Sequence, residues 1–234
     1  MPELLDEVPA SAVAIYAHPD DPEVSCGGTL ARWAAAGAEV HVVVCTSGDK
    51  GSSDPETDPA ALAARRAGEV ARGTAALGVA GHHLLGHPDG EIEDDAVLRG
   101  ELVGVIRRLR PEVVVCPDPT AVFFGQHYVN HRDHRVVGWA AVDATAHSAG
   151  LPHYFPDAGP PHRARAAYLS GTLDPDIWVD IAATVEAKSD ALLCHESQLG
   201  ETGEWLRTVV RERAEEAGRA VGVRYAESFR RLRF

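Results

Sequence analysis

Short, continuous apolar runs alternate along this chain with longer stretches in which apolar positions recur every three to four residues. Ser11 to Ala17 (SAVAIYA) and Glu39 to Cys45 (EVHVVVC) read as strands buried on both faces. Pro22 to Ala36 is the helix between them, stopped by Gly37, and a second helix runs from Pro59 to Leu77 and stops at Gly78. A short strand at His82 to Leu85 precedes the turn GHPDG. Asp94 to Leu109 is helical up to Pro111, Val113 to Cys116 is a further strand, and Asp133 to Ser148 a further helix. The later part is less regular. A Pro-rich loop (LPHYFPDAGPPHR) leads to strand-like AAYLS and IWVDI, then to helices near Ala182–Cys194 and Glu204–Ala217.

This order predicts an α/β fold of Rossmann-like outline, a mostly parallel sheet with helices on both faces. With neither an internal repeat nor a clear linker, residues 1–234 read as one domain. Ligands of open parallel sheets gather beyond the carboxyl ends of the strands. His18 follows the first strand, SGDKG the second, HPDG the third, and PDPT opens the loop after the fourth. Four polar loops therefore converge on one edge. Specificity is expected from loops 46–58, 117–130 and 150–163, with Phe123, Phe124 and His127 as lid candidates.

Composition acts mainly by exclusion. A formal net charge of -13 argues against nucleic acid and anionic membrane surfaces, which reward Lys/Arg patches. No apolar run approaches the ~20 residues of a membrane span, and the start Met1-Pro2-Glu3 does not read as a signal peptide. Cys26, Cys45, Cys116 and Cys194 are scattered and form no CxxC pair, as expected of free thiols in a reducing cytoplasm. The tail RRLRF reads as a solvated or subunit-facing edge, and His82-His83 as a pair astride a strand.

No GxGxxG follows the first strand, SGDKGSS lacks phosphate-loop spacing, and there is no G-x-S-x-G. Water is then the expected nucleophile. Two stretches at the ligand edge carry the chemistry. His18-Pro19-Asp20-Asp21 makes a good turn and helix cap, and His131-Arg132-Asp133-His134 a good helix start. Taken together they also offer His18, Asp21 and His134 as a two-His, one-carboxylate set with coordination positions left open. Zinc suits that set, and Fe(II) meets the same description. Asp20 would then be free to act as general base.

At these residues the sequence resembles the LmbE/PIG-L metal-dependent deacetylases. The resemblance runs through AHPDDPE, TSGDKGS, ARRAGE, LGHPDG, RPEVVVCPDP, HRDH and KSDALLCHESQ, and so covers most of the chain. It implies hydrolysis of N-acetylglucosamine-type groups, as in precursors of mycothiol, bacillithiol and glycosylphosphatidylinositol, in chitobiose and in some antibiotics. It also implies zinc on His18, Asp21 and His134, with Asp20 as the base. His131 matches a histidine that supports the oxyanion and donates a proton to the leaving amine, and Asp133 the carboxylate that orients it. Arg66 and Asp89 match positions that contact the substrate sugar, and Asp49 stands where relatives often carry Glu. His195, Ser197 and Gln198 resemble a late H-x-SQ pattern. The expected partner is a small amino-sugar or glycoside, with neither nucleic acid nor membrane. Compact relatives often assemble, which implies a homo-oligomer. The rival readings are a metal-dependent amidase or phosphoesterase of another substrate class and a non-catalytic, metal-bearing sugar-binding module.

Overall fold

The computed structural model describes residues 2–199 and 203–234. Strands β1 (Glu3–Leu4) and β2 (Ser11–Tyr16) lead into helix α1 (Asp21–Ala35), then β3 (Glu39–Thr46), α2 (Pro59–Ala76) and β4 (Gly81–His87). Helix α3 (Ala96–Leu109) is followed by β5 (Val113–Pro117) and a small hairpin of β6 (Phe123–Phe124) and β7 (Tyr128–Val129). Then come α4 (Arg132–Asp143), β8 (Ala166–Ser170), β9 (Ile177–Asp180), α5 (Val185–Leu193), the single turn α6 (Glu196–Leu199), α7 (Gly203–Arg219) and β10 (Ala226–Arg233).

Eight strands form one sheet in the order β1-β9-β10-β8-β5-β2-β3-β4. The pairings of β8, β5, β2, β3 and β4 are parallel, as is that of β1 with β9, while β10 is antiparallel to both neighbours. Alternate residues of β2 face opposite sides: Ala12, Ala14 and Tyr16 join one apolar cluster with α1, α5 and α7, and Val13 and Ile15 join the other with α3 and α4. The continuous apolar runs are thus strands buried on both faces. None of the described helices is long and apolar enough to cross a membrane.

Three features depart from the sequence reading. The Arg-rich tail is strand β10, inserted between β9 and β8, where Arg231 pairs with Glu3 and Phe229 is fully buried. Helix α1 kinks at Cys26 (φ -145°). The freed N–H groups of Gly28 and Thr29 donate to the buried Glu227 carboxylate at 3.0 and 2.7 Å, and Glu227 is paired with Lys188. Loop 150–163 lies at the amino ends of the strands, opposite the ligand edge. There the buried Arg107 of α3 donates to the carbonyls of Ser148, Ala149, Leu151, Tyr154, Phe155 and Gly159, and His162 reaches Pro111 O.

Candidate metal centre

Strand β2 delivers its chain to the carboxyl edge at Ala17 and then turns sharply through His18, Pro19 and Asp20 into α1. The turn places Asp20 at φ 101°, a left-handed conformation uncommon for a residue with a Cβ. Such strain persists only where the surroundings over-determine it. Here Arg66 of α2, nearly buried, donates from Nη2 to Pro19 O at 2.5 Å and from Nη1 to Gly48 O at 3.1 Å. Its Nη2 also stands 3.4 Å from Asp20 Oδ2. A Cβ on Gly48 or Gly51 would come within 2.4 or 2.5 Å of this guanidinium, so the glycines of SGDKGS make room for it.

The turn fixes Asp21, whose Oδ2 accepts from His18 N–H at 2.8 Å. Two imidazole nitrogens and both oxygens of the Asp21 carboxylate then converge. His18 Nδ1 lies 3.1 Å from His134 Nε2 and 3.3 Å from Asp21 Oδ2, and His134 Nε2 lies 3.1 Å from Asp21 Oδ1. Tetrahedral zinc with ligands at ~2.0–2.1 Å separates neighbouring ligand atoms by about 3.3–3.4 Å, and each of these contacts is close to that spacing. His134 is oriented from behind: its Nδ1 lies 2.9 Å from Asn130 Oδ1, and Asn130 Nδ2 donates to Ala121 O. A proton on Nδ1 leaves the Nε2 lone pair facing His18 and Asp21. His18, Asp21 and His134 can therefore hold a metal ion.

The other edge of the His18 ring faces a second set of carboxylates. Its Nε2 stands 3.2 Å from Asp89 Oδ1 and 3.4 Å from Asp133 Oδ2, with hydrogen-bonding geometry to neither. Burial disfavours a charge on His18, but Asp133, Asp21 and Asp89 outweigh it and push the imidazolium up to about 12. Burial also opposes ionisation of Asp21, yet His134 and His18 hold that carboxyl well below its usual range. Burial, and then the charge of Asp21, raise Asp20 to about 7, with Arg66 pulling the other way. A carboxyl so placed takes a proton readily.

His131 caps α4, accepting from Asp133 N–H at Nδ1 (3.2 Å). The neutral ring therefore carries its proton on Nε2. It stands edge-on to His18, with ring centroids 4.7 Å apart. Burial and the neighbouring His18 lower its pKa, and Asp133 partly offsets them. Asp133 thus acts on His131 through its backbone N–H and its charge, while its carboxylate accepts from Gly90 N–H at 2.7 Å and faces His18. Asp49 Oδ1 accepts from Asp89 N–H at 2.9 Å and ties loop 46–58 to the HPDG turn.

Three further residues were not read from the sequence as part of the centre. Asn130 is one, four residues before His134 on the approach to α4. Glu23 and Glu69 are the others, both fully buried. Glu69 accepts from Ser197 N–H (2.9 Å) and Oγ (2.6 Å), and Gln198 Nε2 donates to Gly51 O. His195 lies against Glu23, Nε2 to Oε2 at 3.5 Å, beneath the Asp20 turn. The H-x-SQ segment thus binds α2, loop 46–58 and the HPDD turn into one unit.

A turn that opens a helix with two adjacent carboxylates, set against a distal H-x-D-H helix start on a Rossmann-like sheet, defines a recognised class of hydrolase. Residues 13–145 match the family described as PIG-L, GlcNAc-PI de-N-acetylase, and the chain belongs to that family. It is 35% identical over 223 residues to diacetylchitobiose deacetylase of Thermococcus kodakarensis, covering 93% of this chain and 81% of the relative. It is also 35% identical to 1D-myo-inositol 2-acetamido-2-deoxy-alpha-D-glucopyranoside deacetylase of Saccharomonospora viridis, covering 79% of this chain and 84% of the other. Among solved structures it is similar to N,N'-diacetylchitobiose deacetylase from Pyrococcus horikoshii, with TM-score 0.87 and 29% identity over 96% of this chain and 84% of that one.

Proposed function

We propose that this protein is a metal-dependent N-deacetylase that hydrolyses the acetamido group of a small amino-sugar or glycoside. The observation that carries the reading is the convergence of His18, Asp21 and His134, with contacts of 3.1 to 3.3 Å, beside Asp20 and its left-handed turn. Two imidazoles and one carboxylate favour zinc, and Fe(II) is the alternative ion. When bound, the ion polarises the amide carbonyl and lowers the pKa of water toward ~7.

Asp20, held by the turn and by Arg66, takes the proton from the attacking water. His131 directs Nε2–H at the developing oxyanion, a contribution of about 3 kcal/mol for one well-placed donor. As the C–N bond breaks, Asp20 returns the proton to the amine and acetate leaves, while His131, neutral with Nδ1 committed to Asp133 N–H, serves as hydrogen-bond donor only. Asp133 fixes the tautomer of His131. Asp89 and Asp49 lie on the side on which the sugar hydroxyls would be held, and Arg66 supports the turn beneath them. The four cysteines are free, three of them buried, which supports a reducing, cytoplasmic setting.

The test is acetate release from a panel of N-acetylglucosamine glycosides by chelated and zinc-restored protein. Zinc should restore release, and Asp20→Asn should lower kcat by about 10²–10⁴-fold with zinc still bound. Full activity in Asp20→Asn, or no release from any glycoside by zinc-loaded protein, would overturn the reading.

A further inference from the structure

Next to the metal centre lies a cavity of about 540 Å³ whose inner wall is made by Asp21, His134 and Asn130. Neither Asp20, Asp89, Arg66 nor His131 lines it. The His18 ring separates the two sides: Nδ1 faces Asp21 and His134, and Nε2 faces Asp89 and Asp133. A substrate carbonyl at the centre therefore has a polar space on one flank and this cavity on the other.

The cavity does not suit a sugar. Its walls are Tyr16, Val24, Pro117 and the hairpin residues Phe124 and Tyr128. Of its polar groups, Tyr16 Oη is paired with Ser170 Oγ at 2.7 Å and Asn130 with His134 and Ala121, while the exposed Arg213 and the half-buried Ser25 stand where the cavity meets α7. A hydroxyl-dense ring seated against Tyr16, Pro117 and Phe124 would find few free partners for its hydroxyls, which is costly wherever they are buried. Nor does acetyl fill it. A methyl group is about the size of a water molecule, whose liquid volume is ~30 Å³. The space continues past Val24, Ser25, Gly171 and Arg213 into a groove of about 320 Å³ along α7, walled by Leu192, Leu206 and Val210.

Resting on the deacetylase reading, we infer that this cavity is an acyl-chain site and that the enzyme hydrolyses N-acyl amino sugars with medium-length, apolar acyl chains. A planar trans amide sends its nitrogen substituent and its acyl chain away from the carbonyl in opposite directions. With the sugar on the Asp89–Asp49 side, the chain enters the apolar cavity. Water adds to the acyl carbon, the C–N bond breaks, and the products are a medium-chain carboxylate and the free amine.

The experiment compares N-acetyl, N-butanoyl, N-hexanoyl and N-octanoyl glucosamine methyl glycosides on zinc-loaded protein, together with the octyl glycoside of N-acetylglucosamine. kcat/KM should rise about fourfold per methylene over the first additions, from the transfer free energy of a buried CH₂. Val24→Trp, which narrows the cavity, should lower the octanoyl-to-acetyl ratio at least tenfold. Octanoate should bind the zinc-loaded protein more tightly than acetate, and Val24→Trp should reduce that difference. Acetyl hydrolysis with no gain for longer chains, or a gain only for the octyl glycoside, would overturn the acyl site and leave the deacetylase reading intact. If no member is hydrolysed the deacetylase reading fails, and octanoate binding no tighter than acetate, or unaffected by Val24→Trp, overturns the cavity assignment by itself.

Discussion

At the scale of single residues, the centre is a set of competing charges arranged around one imidazole. His18 is flanked by three carboxylates, which hold its proton up to about 12 against the effect of burial. The direction of that shift predicts that the ion-free protein carries the proton at neutral pH and that a metal ion displaces it. The sign follows: apparent metal affinity rises with pH, about tenfold per unit for one linked proton. Calorimetric zinc titration in buffers of different ionisation enthalpy should show about one proton released per ion. Binding without proton release, and with an affinity independent of pH, would contradict this account of His18. The same scale explains what the sequence conceals. The spacing of His18, Asp21 and His134 is plain in the residue order, but the left-handed turn at Asp20 and the guanidinium beneath it are tertiary facts. Arg66 reads as a sugar contact from ARRAGE, yet its hydrogen bonds go to Pro19 O and Gly48 O.

At the scale of elements, the Asp20 turn is positioned by the contacts of α2 with the segment around α6. Gly73 lies where α2 crosses Glu23 and His195, and a Cβ there would stand 2.8 Å from Glu23 Oε1 and 3.1 Å from His195 Nε2. Gly73→Ala improves helix propensity but overpacks a fully buried pair. We expect a net destabilisation of about 2 kcal/mol, measured by denaturant unfolding, with kcat reduced as the Asp20 turn shifts. An unchanged or increased stability would mean that the Glu23–His195 layer yields freely. Strands β2, β3 and β5 were legible because both faces are apolar. Strand β10 was not. Its sequence AESFRRLR shows three arginines, whereas its place in the sheet depends on partners distant in the chain, among them Glu3 for Arg231 and Lys188 for Glu227. A buried ion pair leaves no apolar signature.

At the scale of the whole molecule, the sheet separates chemistry from support. The candidate metal ligands, the cavity and loops 46–58 and 117–130 occupy the carboxyl edge, while loop 150–163 is held at the amino edge. Its Pro-rich sequence gave no sign of which edge it occupies, because its anchor, Arg107, resembles any exposed cation on an amphipathic helix. Arg107→Met would remove the guanidinium hydrogen bonds to six carbonyls, four of which keep a backbone donor. A loss of about 3 kcal/mol, or roughly 6–12 °C in Tm, is expected by calorimetry, with kcat of the folded enzyme unchanged. A large fall in kcat at temperatures where the variant is fully folded would instead place the loop at the site.

The central claim is one catalytic ion per chain on His18, Asp21 and His134. Its most direct test is to titrate zinc into metal-free protein while following both bound metal and acetate release from an N-acetylglucosamine glycoside. Activity should climb linearly and break at one ion per chain, and Asp21→Ala should abolish both tight binding and activity. Activity in the metal-free protein, a break at two ions per chain, or tight binding that survives Asp21→Ala would contradict the account.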